Sequence, residues 1–165
     1  SQRKLERGMS TLEVKAIQAP SGYNLAMPAG HILQVVSAEN ATSVSPTSTS
    51  YVTTGLTANI TPSSTASKIL IQVSGCLDNN ANGRQGFIAF YRDSTNLSGG
   101  GSNARGSLYT NNTRALSNLS AQHLDSPSTT SAITYSVRFK CPDGGEVEWN
   151  TQGVISNITL MEVQG

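Results

Sequence analysis

Residues 132–140, AITYSVRFK, alternate without a break: Ile133, Tyr135, Val137 and Phe139 on one side, Thr134, Ser136, Arg138 and Lys140 on the other. Successive side chains of a strand point to opposite faces of a sheet, so a period of two puts one face in a core and the other in water. Residues 68–74, KILIQVS, repeat the pattern, with Ile69, Ile71 and Val73 facing one way and Leu70, Gln72 and Ser74 the other. Runs of this kind cannot be closed into helices without scattering their apolar residues around the axis. They restrict the chain to half-buried sheets.

Further strand candidates fall at residues 31–37, 51–53, 58–61, 86–92, 105–110, 114–124, 146–150 and 156–163. Turn chemistry rich in Pro, Gly, Asn, Asp and Ser separates several of them, at residues 78–83, 98–102, 125–131 and 142–145. Residues 114–124 are ambiguous. Leu116, Leu119 and His123 could form a helical stripe, but Leu124 and the β-rich surroundings favour a strand. The spacing predicts an all-β, antiparallel β-sandwich or jelly-roll head.

The chain has 165 residues and suits one such head, residues 31–165, preceded by an arm and stem, residues 1–30. SQRKLERGMS supplies Arg3, Lys4 and Arg7 with little that is apolar beyond Leu5 and Met9, and reads as an arm. The following short extended segments, residues 12–17 and 23–26, are cut by Pro-Ser-Gly and Pro-Ala-Gly. They are too short to form a core alone and need a partner, either the head or other copies of themselves.

A formal charge of +1 and a charged fraction of 13% give no field for a phosphate backbone, so no nucleic-acid partner is expected. The apolar runs fall short of the ~20 residues that span a bilayer, and no apolar leader core stands near the start, so neither membrane insertion nor a signal peptide is expected and the site of synthesis reads as a cytoplasm. There Cys76 and Cys141 read as buried thiols rather than a disulfide. N-x-S/T sequons at Asn40, Asn59, Asn111, Asn118 and Asn157 are what an Asn-, Ser- and Thr-rich chain produces by composition.

No catalytic constellation stands out, and neither enzyme activity nor a cofactor is expected. Neither of the two histidines, His31 and His123, lies in a recognisable nucleophile motif. DNNANG, residues 78–83, matches the first half of a calcium loop, but the glutamate required at its twelfth position falls on Ala89, inside a strand candidate, so no metal is expected. What remains is surface. Asn79, Asn80, Asn82, Arg84, Arg92, Asp93, Asn96, Asn103, Arg105, Tyr109, Asn111, Asn112 and Arg114 bring amides, guanidinium groups and an aromatic face to predicted loops and strand ends. Such groups hydrogen-bond to and stack on sugars; the bland alternative is that they keep the molecule soluble and its sheet edges unpaired.

ANITPSSTASKILIQVSG, YRDSTNL, LDSPSTTSAITYSVRFK and the closing SNITLMEVQG, in that order, resemble the small β-rich fibre and knob proteins of tailed bacteriophages, especially those of aquatic bacteria. The resemblance covers residues 32–165. It implies a homotrimeric, non-enzymatic structural protein on the virion surface, assembled in a bacterial cytoplasm, with other phage virion proteins of the tail or the major capsid as partners. In that picture Arg3, Lys4, Leu5 and Arg7 anchor the arm, and the loop residues named above face a host surface glycan or protein. Capsid decoration is the alternative role. A lectin-like module or a small glycan-active enzyme is a third.

Overall fold

The computed structural model describes residues 28–79, 84–111 and 114–165. Ten strands form two antiparallel sheets: β1 (Ile32–Asn40), β2 (Val52–Ile60), β3 (Lys68–Asn79), β4 (Arg84–Arg92), β5 (Thr95–Asn96), β6 (Gly106–Thr110), β7 (Ala115–Asp125), β8 (Ile133–Lys140), β9 (Val147–Trp149) and β10 (Ser156–Val163). Sheet A runs β1-β10-β3-β7, with β9 beside the far end of β3; sheet B runs β2-β8-β4-β5, with β6 beside the near end of β4. The expected all-β antiparallel sandwich is what the chain forms.

The alternating runs set the core. Ile69, Ile71 and Val73 of β3 and Ile158 and Leu160 of β10 face Leu56 and Ile60 of β2, Ile88 and Phe90 of β4, and Val137 and Phe139 of β8, all of them buried. The ambiguous segment is a strand, β7, whose even-numbered residues are exposed along one face. Cys76 and Cys141 are both buried and free.

Two sequence expectations are corrected, and one element had no counterpart among them. The segments read at residues 51–53 and 58–61 merge into one strand, β2, which starts at Val52 and ends at Ile60, and in which Gly55 at φ 80° makes room for a shift of register against β8. Asp78 and Asn79, read as the start of a turn, continue β3 and are buried. Between Phe90 and Arg105 the chain makes the short strand β5, a pairing of two residues too brief to leave a periodic signal.

Each sheet also contains an interrupted strand. β9 and β10 both pair antiparallel with β3, one after the other, and residues 150–155 leave the sheet between them. Asn150 holds this jog from inside: it is buried in a left-handed conformation, and its Nδ2 donates to the carbonyl of Asn40 at 2.8 Å and to Ser156 Oγ at 3.1 Å. The same arrangement in sheet B places β5 and β6 in succession against β4.

Candidate functional site

The residues expected to face a ligand divide sharply once their partners are seen. Arg3, Lys4, Leu5, Arg7, Asn80, Asn82 and Asn112 lie outside the described residues. Asn79 is no loop residue: its buried Nδ2 donates to the carbonyls of Arg84 and Leu108, each at 2.9 Å, and ties β3 to strands of the opposite sheet.

The arginines bind within the molecule. Arg114 grips the buried carboxylate of Asp78 through Nε and Nη2, and those hydrogen bonds raise the guanidinium pKa still further. Arg92 Nη1 donates to both oxygens of Asp125, at 3.1 and 2.9 Å, while the Tyr135 hydroxyl donates to the same carboxylate at 2.7 Å. Asp125 belongs to sheet A and its two donors to sheet B, so this triad clasps one edge of the sandwich. Burial first, then the bond to Asp125, pushes the Tyr135 hydroxyl pKa far up, which keeps it a proton donor. Arg105 donates to the Leu97 carbonyl at 2.7 Å and lies 2.9 Å from His123 Nδ1. Burial and the adjacent guanidinium lower the His123 pKa, leaving a neutral ring that accepts from Arg105. Arg84 sits 3.6 Å from Asp143 and covers Gly145.

Asp93 and Asn96 also have internal duties. Asp93, at φ 52°, turns the chain out of β4, and its Oδ1 accepts from the Thr134 amide at 3.1 Å. Asn96 Oδ1 accepts from the Ser98 amide at 2.8 Å, and its Nδ2 donates to the Asn103 carbonyl at 3.1 Å. Tyr109 presents a side chain that is 61% exposed on β6, and Asn103 and Asn111 are exposed as well.

Around Tyr109 the outer face of sheet B carries a group that the sequence reading did not select. Phe87 and Tyr91 point outward from β4 on either side of the buried Ile88 and Phe90, and Arg138 and Lys140 point outward from β8 between Val137, Phe139 and Cys141. The register pairs Phe87 with Lys140 and Ala89 with Arg138. Lys140 Nζ lies 4.5 Å from the ring centre of Tyr51 and 5.8 Å from that of Phe87; the Arg138 guanidinium lies 4.1 Å above Tyr91. Tyr51 and Tyr91 meet edge to face at 6.0 Å. Ala89 and Ser136 are buried on this same face, so the large side chains roof over small ones.

Neither Lys140 nor Arg138 has a carboxylate within ion-pair distance among the described residues. Arg138 donates to a backbone carbonyl, that of Asp93 at 3.3 Å, and its Nε has no hydrogen-bond partner. Burial, then the neighbouring Tyr91, pushes the Tyr51 hydroxyl up to about 12, so this ring stays neutral and keeps its negative face toward Lys140. The group is therefore a row of flat apolar rings carrying two positive charges not matched by side-chain anions. The β8 alternation held the signal for Arg138 and Lys140. Their meeting with Tyr51 depends on the strand order β2-β8-β4.

The sequence matches no protein-family model and no curated protein.

Proposed function

We propose that this chain is the head of a bacteriophage surface fibre or knob, a structural and adhesive protein rather than an enzyme, and that the outer face of sheet B recognises an acidic glycan on the host surface. The observation that carries the reading is the ring-and-cation row of Phe87, Lys140, Tyr51, Tyr91 and Arg138. Sugar rings present C–H faces that pack on aromatic side chains, and a sugar carboxylate or phosphate supplies the anion that Lys140 and Arg138 lack. The order of Ser/Thr-rich strand segments that resembles fibre and knob proteins supplies the setting.

The test is binding of the full chain to immobilised bacterial surface polysaccharides, acidic and neutral, with Tyr51→Ala, Arg138→Ala and Lys140→Ala beside it. Each substitution is expected to weaken binding to the acidic polymer about tenfold, the equivalent of ~1.4 kcal/mol, and added salt should weaken it further. Unchanged binding in all three variants would remove sheet B from the reading. Gold labelling of the protein on intact particles distinguishes the two placements: label on the tail supports host adhesion, and label spread over the head supports capsid decoration.

A further inference from the structure

The Gly-rich loop from Leu97 to Arg105 joins the edge of the sandwich to the rings on the outer face of sheet B. Its two ends are fixed to β4: the Leu97 amide donates to the Phe90 carbonyl at 2.8 Å, and the Arg105 amide to the Ile88 carbonyl at 2.7 Å. Its tip is loosely built. Gly99, Gly100 and Gly101 have open space at their Cβ positions, and Gly99, Gly100 and Asn103 take positive φ. The loop reaches the rings through two carbonyls. That of Ser102 accepts from the Tyr51 hydroxyl at 3.2 Å, and that of Asn103 accepts from Asn96 Nδ2, which also lies 3.4 Å from the Tyr91 hydroxyl.

The neck of this loop is closed by the Arg105 side chain. Nη2 reaches back to the Leu97 carbonyl at 2.7 Å, and the same nitrogen lies 2.9 Å from His123 Nδ1. His123 stands on β7, paired with the buried Ile71, so its ring points between the sheets and holds the neck from the side of sheet A.

The ionisable groups around His123 come from four places: Arg105 from the loop, Asp125 from β7 itself, Arg92 from the end of β4 and Tyr135 from β8. The core residues of β3 and β6 on its flanks, Ile69, Ile71, Val73 and Leu108, carry no charge. Asp125 is already committed, accepting twice from Arg92 and once from Tyr135. A proton on His123 would therefore meet a guanidinium at hydrogen-bond distance. Imidazolium is a donor at both nitrogens, so Nδ1 could no longer accept from Arg105, and the two like charges would repel. Arg105 Nε is buried without a hydrogen-bond partner, so withdrawal of the side chain into water breaks no bond at that atom.

We propose that the His123–Arg105 contact is a proton-operated latch on the 97–105 loop: protonation of His123 drives Arg105 off the Leu97 carbonyl, opens the neck and frees Tyr51 and Tyr91 at the rim of the ring-and-cation row. The effect on binding rests on the proposed glycan site; the latch itself does not. Burial, then the adjacent guanidinium, holds the His123 pKa below its ordinary value. The closed loop is therefore fully favoured above about pH 6.5, and that advantage is lost as pH falls through the lowered folded value.

The test follows the full chain by NMR between pH 8 and pH 5, with His123→Gln beside it. Gln stays neutral, keeps an acceptor for Arg105 and leaves His31 in place, so any response from His31 persists in the variant. The expected result is that the amides of residues 99–104 shift with the His123 ring signal in the wild-type chain and stay still in His123→Gln. Binding to the acidic polysaccharide should weaken about threefold from pH 7.5 to pH 5 in the wild-type chain alone, as when one molecule in three keeps the latch closed. Where His123→Gln does not fold, Arg105→Gln serves: the His123 ring should then titrate at higher pH and the loop amides should ignore it. Loop amides that shift alike in wild type and variant, or that stay still while His123 titrates, would overturn the latch. A moving loop with strong binding equal at both pH values would overturn its coupling to the rings. A moving loop in a chain that binds no polysaccharide at any pH would support the latch and remove only the glycan reading.

Discussion

At the scale of single residues, charge in this molecule is chiefly a fastening device. Arg92 and Arg114 reach a carboxylate that is nearly or wholly buried, while Glu162, itself fully buried, is satisfied without any cation. Its Oε2 accepts from Gln34 Nε2 at 2.6 Å, and its Oε1 accepts from the Ser63 amide at 2.7 Å and the Ser63 hydroxyl at 2.6 Å. Burial alone would raise the Glu162 pKa, but these donors outweigh it and hold the carboxyl below its ordinary value. Because the folded pKa lies below that of the unfolded chain, the carboxylate contributes stability above about pH 4.3, and that contribution is lost as pH falls through the folded value. Glu162→Gln is expected to cost about 1–3 kcal/mol at pH 7, measured by urea denaturation, with a smaller difference at pH 3. An equal loss at both pH values would mean that ionisation has no part in it. None of this was legible in the sequence, where Glu162 reads as a polar residue near the end of the last strand; its partners come from β1 and from the loop after β2.

At the scale of elements, alternation carried most of the fold because each strand is half-buried. The β10 boundaries and the inward set of β8 follow directly from it. It failed where tertiary partners override local chemistry. Asp-Asn-Asn reads as a turn, yet Asp78 and Asn79 remain in β3 because Arg114 and the carbonyls of Arg84 and Leu108 satisfy them in the interior. The candidate site was legible only in part: Tyr109 was singled out, while the Tyr51 and Lys140 contact crosses strands far apart in sequence. Gly75 shows the same long-range dependence. The Trp149 indole lies where a Cβ on Gly75 would stand, and Trp149 Nε1 donates to Ser156 Oγ at 3.2 Å, fixing the ring in place. Gly75→Ala is expected to cost about 1–3 kcal/mol through overpacking, whereas Gly101→Ala, with nothing near its Cβ position, should be close to neutral. Thermal denaturation of the two variants compares them directly, and equal midpoints would show that the indole moves aside freely.

At the scale of the whole molecule, the two outer faces differ in kind. Sheet B presents cations on aromatic rings, while the centre of sheet A is polar and uncharged, with Gln72, Ser74, Ser120, Gln122, Asn157 and Thr159 outward. A sandwich provides two outer faces separated by a common core, so the two can differ in chemistry without disturbing the packing between them. The homotrimer implied by the resemblance has a thermodynamic consequence of its own. If copies hold one another folded, unfolding releases separate chains, so the melting midpoint must rise with protein concentration, by a few degrees for about a tenfold increase. Lys140→Ala should lower acidic glycan binding and leave the dependence intact. A midpoint independent of concentration in the wild-type chain would show that each head is stable alone, and association would then have no part in holding the fold.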